Sequence, residues 1–172
     1  MEKTLKLTAL LLAAVLAVAL VGCNKFEYEM ADFKTGDFHY SIPDHFEYAV
    51  TEDADDFYVT MNSSVAVYAY THSEFDAVFG SYAGDYSAVD VAEYIVELRE
   101  YNAAVYDGAV AGSARYSFLY TDGEVTYYNQ TTVHTNDKSV YVLVFSCNAD
   151  KLELYQDMIL DIINSAHIES ED

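Results

Sequence analysis

Ser113-Ala-Arg-Tyr-Ser-Phe-Leu-Tyr-Thr-Asp-Gly-Glu-Val-Thr-Tyr-Tyr-Asn-Gln-Thr-Thr-Val-His-Thr-Asn-Asp-Lys-Ser-Val-Tyr-Val-Leu-Val-Phe-Ser-Cys147 is the stretch that decides the fold. It divides into three runs rich in Val, Tyr, Thr and Phe, at 113–121, 124–134 and 139–147. Such residues favour strands. Asp122-Gly123 is a hairpin signal, because both residues tolerate positive φ. Asn136-Asp137 supplies the next turn. In the third run Val140, Val142 and Val144 alternate with Tyr141, Leu143, Phe145 and Cys147. Both faces are apolar, so this strand is expected at the centre of a sheet covered on both sides.

Outward from the meander the pattern changes period. Leu152, Tyr155, Met158, Ile159, Ile162 and Ile163 form an apolar stripe at helical spacing, predicting a helix that starts at Asn148 or Asp150 and ends at Ser165. Upstream, Val91, Tyr94, Ile95 and Leu98 predict a helix over 91–101, capped by Ser87 or Asp90. Before that, strand-like runs occupy 38–42, 46–51, 57–62 and 65–70, with Ser63-Ser64 as a turn. Strands, helix, strands, helix with antiparallel pairing is the α+β class: a mostly antiparallel sheet flanked by helices.

The N-terminus has a different character. Lys3 and Lys6 precede an unbroken Ala, Leu and Val run at 9–21, long enough for an export signal and short of the ~20 residues of a spanning helix. Leu20-Val21-Gly22-Cys23 follows and resembles the bacterial lipobox. That resemblance implies cleavage between Gly22 and Cys23 and a diacylglyceryl group on the Cys23 thiol. Two acyl chains anchor stably where one binds marginally. The expected organisation is a signal peptide at 1–22, a lipidated N-terminus and tether at 23–37, one α+β domain at 38–169 and an acidic tail at 170–172. The expected location is the extracytoplasmic face of the cell membrane.

The charge is extreme: 29 acidic against 8 basic residues, a formal net of −21. Loss of 1–22 removes Glu2, Lys3 and Lys6 and leaves 28 against 6, a net of −22. Phosphate backbones repel such a chain, which argues against nucleic-acid partners. Anionic lipid headgroups repel it too, so membrane residence falls to the anchor on Cys23.

The domain resembles the PsbP-like family, an α-β-α sandwich also found in small bacterial lipoproteins. The resemblance rests on Tyr40-Ser41-Ile42-Pro43 with Phe46, on the meander ending in Tyr141-Val142-Leu143-Val144-Phe145-Ser146-Cys147, and on the closing helix running into Ser165-Ala166-His167-Ile168. It implies a non-catalytic accessory or binding protein.

No catalytic or cofactor motif emerges. His39, His45, His72, His134 and His167 stand at no metal-ligand spacing, and Cys147 lies in an apolar strand. Asp53-Ala54-Asp55-Asp56 fails as a calcium loop, since Tyr58 and Ser64 fall where Gly and Glu are needed; a solvated acidic loop is expected. The positive feature is 17 tyrosines with no tryptophan. Tyr68 and Tyr70 share one face of a strand, and Tyr116 and Tyr120 share one face of another. These four are either sheet formers with rings in the core and hydroxyls at its edge, or the candidate surface for an envelope protein or a small ligand. The competing reading is an envelope hydrolase with an unrecognised site.

Overall fold

The computed structural model describes residues 27–101, 103–110 and 112–169. The export segment, Gly22, Cys23 and the tail 170–172 lie outside the described residues. In chain order come strands β1 (Met30–Thr35), β2 (Phe38–Pro43), β3 (Glu47–Tyr48), β4 (Asp56–Val59) and β5 (Ser63–Thr71), then helices α1 (His72–Phe79) and α2 (Ala88–Arg99). Strands β6 (Val105–Val110), β7 (Ser113–Asp122), β8 (Val125–Thr135) and β9 (Ser139–Asn148) follow. A 3-10 turn (Ala149–Lys151), helix α3 (Leu152–Ser165) and strand β10 (His167–Ile168) complete the chain.

The meander forms as its sequence predicts, with one change at the first turn. Asp122 pairs with Val125, so the loop is Gly123-Glu124, one residue later than expected. Gly123 has φ +59° and Glu124 does not share it, which is the pattern of a turn needing glycine at its first position only. At the second turn the Asn136 side chain accepts from the Lys138 and Ser139 amides at 2.9 and 2.8 Å. Strand β9 takes the middle of a seven-stranded antiparallel sheet ordered β3-β4-β5-β9-β8-β7-β6.

Both faces of β9 are covered. On one, Tyr141, Leu143, Phe145 and Cys147 join Val65 and Val67 against the buried stripe of α3 and against Phe38, Tyr40 and Ile42 of β2. On the other, Val140 and Val142 join Val133, Ala114 and Tyr116 beneath Phe75 and Phe79 of α1 and Val91, Ala92 and Ile95 of α2. Burying each Ile of the α3 stripe contributes roughly 1.5–3 kcal/mol, so packing rather than propensity fixes that helix. Ser87 caps α2, its hydroxyl accepting from the Asp90 amide at 3.2 Å.

The structure departs from expectation in several places. The tether expected to reach residue 37 is already strand β1 from Met30, paired with β2 in a second, three-stranded sheet whose other edge is β10. The β1–β2 loop is Gly36-Asp37; Gly36 has φ +59°, and a Cβ there would sit 3.1 Å from the Tyr141 hydroxyl. Of the run 46–51 only Glu47 and Tyr48 form a ladder, Ala49 N adds one bond to Phe57 O at 2.8 Å, and Val50 turns out to solvent with 88% exposure. Ser63-Ser64 opens β5 instead of turning; the turn lies at Thr60–Ser63, closed by Thr60 N donating to Ser63 O at 2.8 Å. Helix α1 and strands β6 and β10 are additions. In β6 a bulge at Asp107 shifts the pairing with β7 between Tyr106 and Gly108.

Candidate functional site

Register brings the four candidate tyrosines together. Tyr68 of β5 pairs with Val142 of β9, which pairs with Val133 of β8, which pairs with Ala114 of β7. One step along, Ala66, Val144, Thr131 and Tyr116 form the next row, and Ser64, Ser146, Asn129 and Phe118 the one after. Directly paired residues share a face, so Tyr68, Tyr70, Tyr116 and Tyr120 all stand on the face that carries α1 and α2. The helices cover only the first rows.

The remainder forms a cavity of about 350 Å³, lined by those four tyrosines with Phe79, Ile95, Arg99, Tyr101, Phe118, Asn129, Val142 and Val144. Its walls are stacked rings. Tyr68 and Tyr70 lie 6.3 Å apart and near parallel, and Tyr101 lies on Phe118 at 3.8 Å with 6° between planes. Tyr70 meets Phe79 edge-on at 5.8 Å. Tyr116 is almost wholly buried at the base, whereas Tyr120 is 55% exposed at the mouth. Between Val144 and Tyr116 in the same row, Thr131 is fully buried.

The site is a donor-rich environment. Burial pushes the Tyr68, Tyr101 and Tyr116 hydroxyls above their ordinary pKa and lifts Tyr70 to about 12, so all four remain protonated at neutral pH. The Arg99 guanidinium opposes that rise at each of them, which places it within electrostatic reach of all four. Arg99 itself rests over the Phe79 ring, 5.0 Å from its centroid. Sequence reasoning did not single out Arg99 or Tyr101. A signal existed: Arg99 is the only Lys or Arg between Lys34 and Arg115.

The other residues weighed from sequence are scattered. The Cys147 thiol is buried beneath α3 and pushed up to about 11 by that burial, with Asp150 adding to the rise. His72 stacks on Tyr86 at 3.8 Å, and His39 on His167 at 5.3 Å beside Glu169. His134 is buried, its Nε2 3.0 Å from Thr132 Oγ1. Among the described residues no three His, Cys, Asp or Glu groups gather as for a metal.

The acidic loop is not merely solvated. Asp55 Oδ2 accepts from the Ala69 amide at 2.7 Å. Asp56 Oδ2 accepts from the Tyr40 hydroxyl at 2.8 Å and from the Thr35 hydroxyl. Both carboxylates tie β4 to neighbouring strands, a role that charge counting did not reveal. A second cavity, of about 320 Å³, lies between α3 and β6–β8. There Tyr128 donates to Gln130 Oε1 at 2.5 Å, and Gln130 to Asp107 Oδ2 at 2.8 Å.

Three solved structures share this architecture. The cyanobacterial PsbP of Synechocystis sp. PCC 6803 superposes with a TM-score of 0.55 at 11% identity, covering 86% of this chain and 96% of that one. The fold is PsbP-like. The Ran-binding protein Mog1p of Saccharomyces cerevisiae reaches 0.54 at 11% identity, with 83% and 96% covered. LpqN of Mycobacterium tuberculosis, described as involved in cell envelope biogenesis, reaches 0.52 at 15% identity, with 84% and 93% covered. No family model and no curated protein matches the chain. At these identities the likeness speaks to the PsbP-like fold, and function must be argued from the site.

Proposed function

We propose that the chain is a lipid-anchored accessory module of the cell envelope that holds a ligand in the tyrosine-lined cavity without transforming it. One observation carries the second half of this reading. Among the described residues the cavity lining contains five tyrosines and no Asp, Glu, His, Cys, Ser or Lys. It offers stacking area and hydrogen bonds, but no nucleophile beside a base. The hydrolase reading gains little support elsewhere: Thr132 and His134 form a hydroxyl–imidazole pair, yet both are buried.

The anchored location rests on the sequence Leu20-Val21-Gly22-Cys23. Among the described residues no helix is long and apolar enough to cross a membrane. The envelope role is in keeping with LpqN, which has the same fold and is described as involved in cell envelope biogenesis. Expression of the full chain in a bacterium fed labelled palmitate tests the anchor. The wild type should carry label and pellet with membranes, while Cys23→Ala should lose both. A Cys23→Ala variant that still pellets with membranes would remove the anchor from the proposal.

A further inference from the structure

We infer that the cavity selects a small molecule with an oxyanion head, carboxylate or phosphate, on an aromatic or alkyl body, and that Arg99 reads the charge. This rests on the cavity being a ligand seat, as proposed above.

The chain carries 29 acidic and 8 basic residues, yet among the described residues the lining of this cavity holds one arginine and no carboxylate. Arg99 forms no salt bridge among the described residues. Its guanidinium, on an exposed residue, instead lies over the Phe79 ring, and its fork of N–H donors meets no protein acceptor among the described residues. The hydroxyls of Tyr68, Tyr70 and Tyr101 stand within its electrostatic reach, and none is hydrogen-bonded to another described residue. Donors outnumber acceptors, and a group of opposite character would satisfy several at once. An oxyanion does so, and a guanidinium meets one with two parallel bonds.

The rest of the lining fixes the body of the ligand. Phe118 and Tyr101 are stacked, and Val142 and Val144 form an apolar floor. Near 350 Å³ the space is at the small end for organic ligands, which points to a single ring or a short chain rather than a polymer.

Four probes sharing one body separate these claims: 4-phenylbutyrate, 4-phenylbutyl phosphate, 4-phenylbutanol and 4-phenylbutylamine. Each is titrated calorimetrically into the purified full chain. The net charge of −21 favours the amine in every non-specific way, so a preference for an anion reports the cavity. At least one anion should bind about tenfold tighter than the alcohol. The ratio between the two anions tells carboxylate from phosphate. In Arg99→Gln that preference should vanish, the anion losing about tenfold more affinity than the alcohol, and Arg99→Lys should restore part of it. Equal binding of anion and alcohol, tighter binding of the amine, or a preference that survives Arg99→Gln would overturn the inference while leaving the seat intact. Failure of all four probes would remove the seat, and with it the binding role proposed above.

Discussion

At the scale of the residue, His134 shows how burial becomes a property of the whole fold. Its imidazole is pressed down from an ordinary 6.5 to about 4, chiefly by burial and further by Arg115 and His167. Between those values the unfolded chain takes up a proton that the folded chain refuses, so stability must fall as pH drops from about 6.5 towards 4. The full loss is about 3 kcal/mol. Urea melts across that window should show the decline, and His134→Gln should flatten it. A variant whose slope matched the wild type would show that other groups govern acid sensitivity. The same scale shows what can be read from sequence. Alternation alone placed Tyr68 with Tyr70 and Tyr116 with Tyr120. That the two pairs look into one cavity depends on strand order and register, which no local window contains. Asp56 is harder still, because its partners Thr35 and Tyr40 lie 21 and 16 residues away.

At the scale of the element, the long patterned segments were legible and the short ones were not. Strands β7, β8 and β9 run for ten or eleven residues and helix α3 buries a full apolar stripe, so their signal is strong. Helix α1 has only eight residues and two buried rings, Phe75 and Phe79. Its signal lay in the cap: the Thr71 hydroxyl accepts from the Glu74 amide, and the Glu74 carboxylate accepts from the Thr71 amide. That reciprocal pair is readable as Thr-x-x-Glu. Strand β1 was masked by three charged or polar neighbours in its sequence, yet its Phe33 packs on Tyr58 at 4.8 Å and on Tyr40 at 5.9 Å. Tyr28, before β1, also packs on the core and donates to Asp161 Oδ2 at 2.7 Å. A chain shortened to start at Glu27 should melt cooperatively, whereas one starting at Phe38 should lose several degrees or the transition itself. Equal melting of the two would make β1 an ornament rather than part of the core.

At the scale of the whole molecule, charge and sheet geometry act together. A net of −21 spread over 172 residues repels itself, and salt screens that repulsion over a Debye length of about 10 Å at 0.1 M. The melting temperature at pH 7 should therefore rise between dilute buffer and about 0.15 M sodium chloride. A melt indifferent to salt would contradict self-repulsion as a limit on stability. The ends of the large sheet have a consequence of another kind. An open sheet exposes unpaired amides and carbonyls along its outermost strands, a template on which other chains can polymerise. Here one end is β3, only two residues long, and the other is β6, bent by its bulge at Asp107. An approaching strand would find either too little ladder to grip or a ladder that is out of step. Copies crowded side by side would thus find no long straight edge at either end of the large sheet on which to seed a fibre.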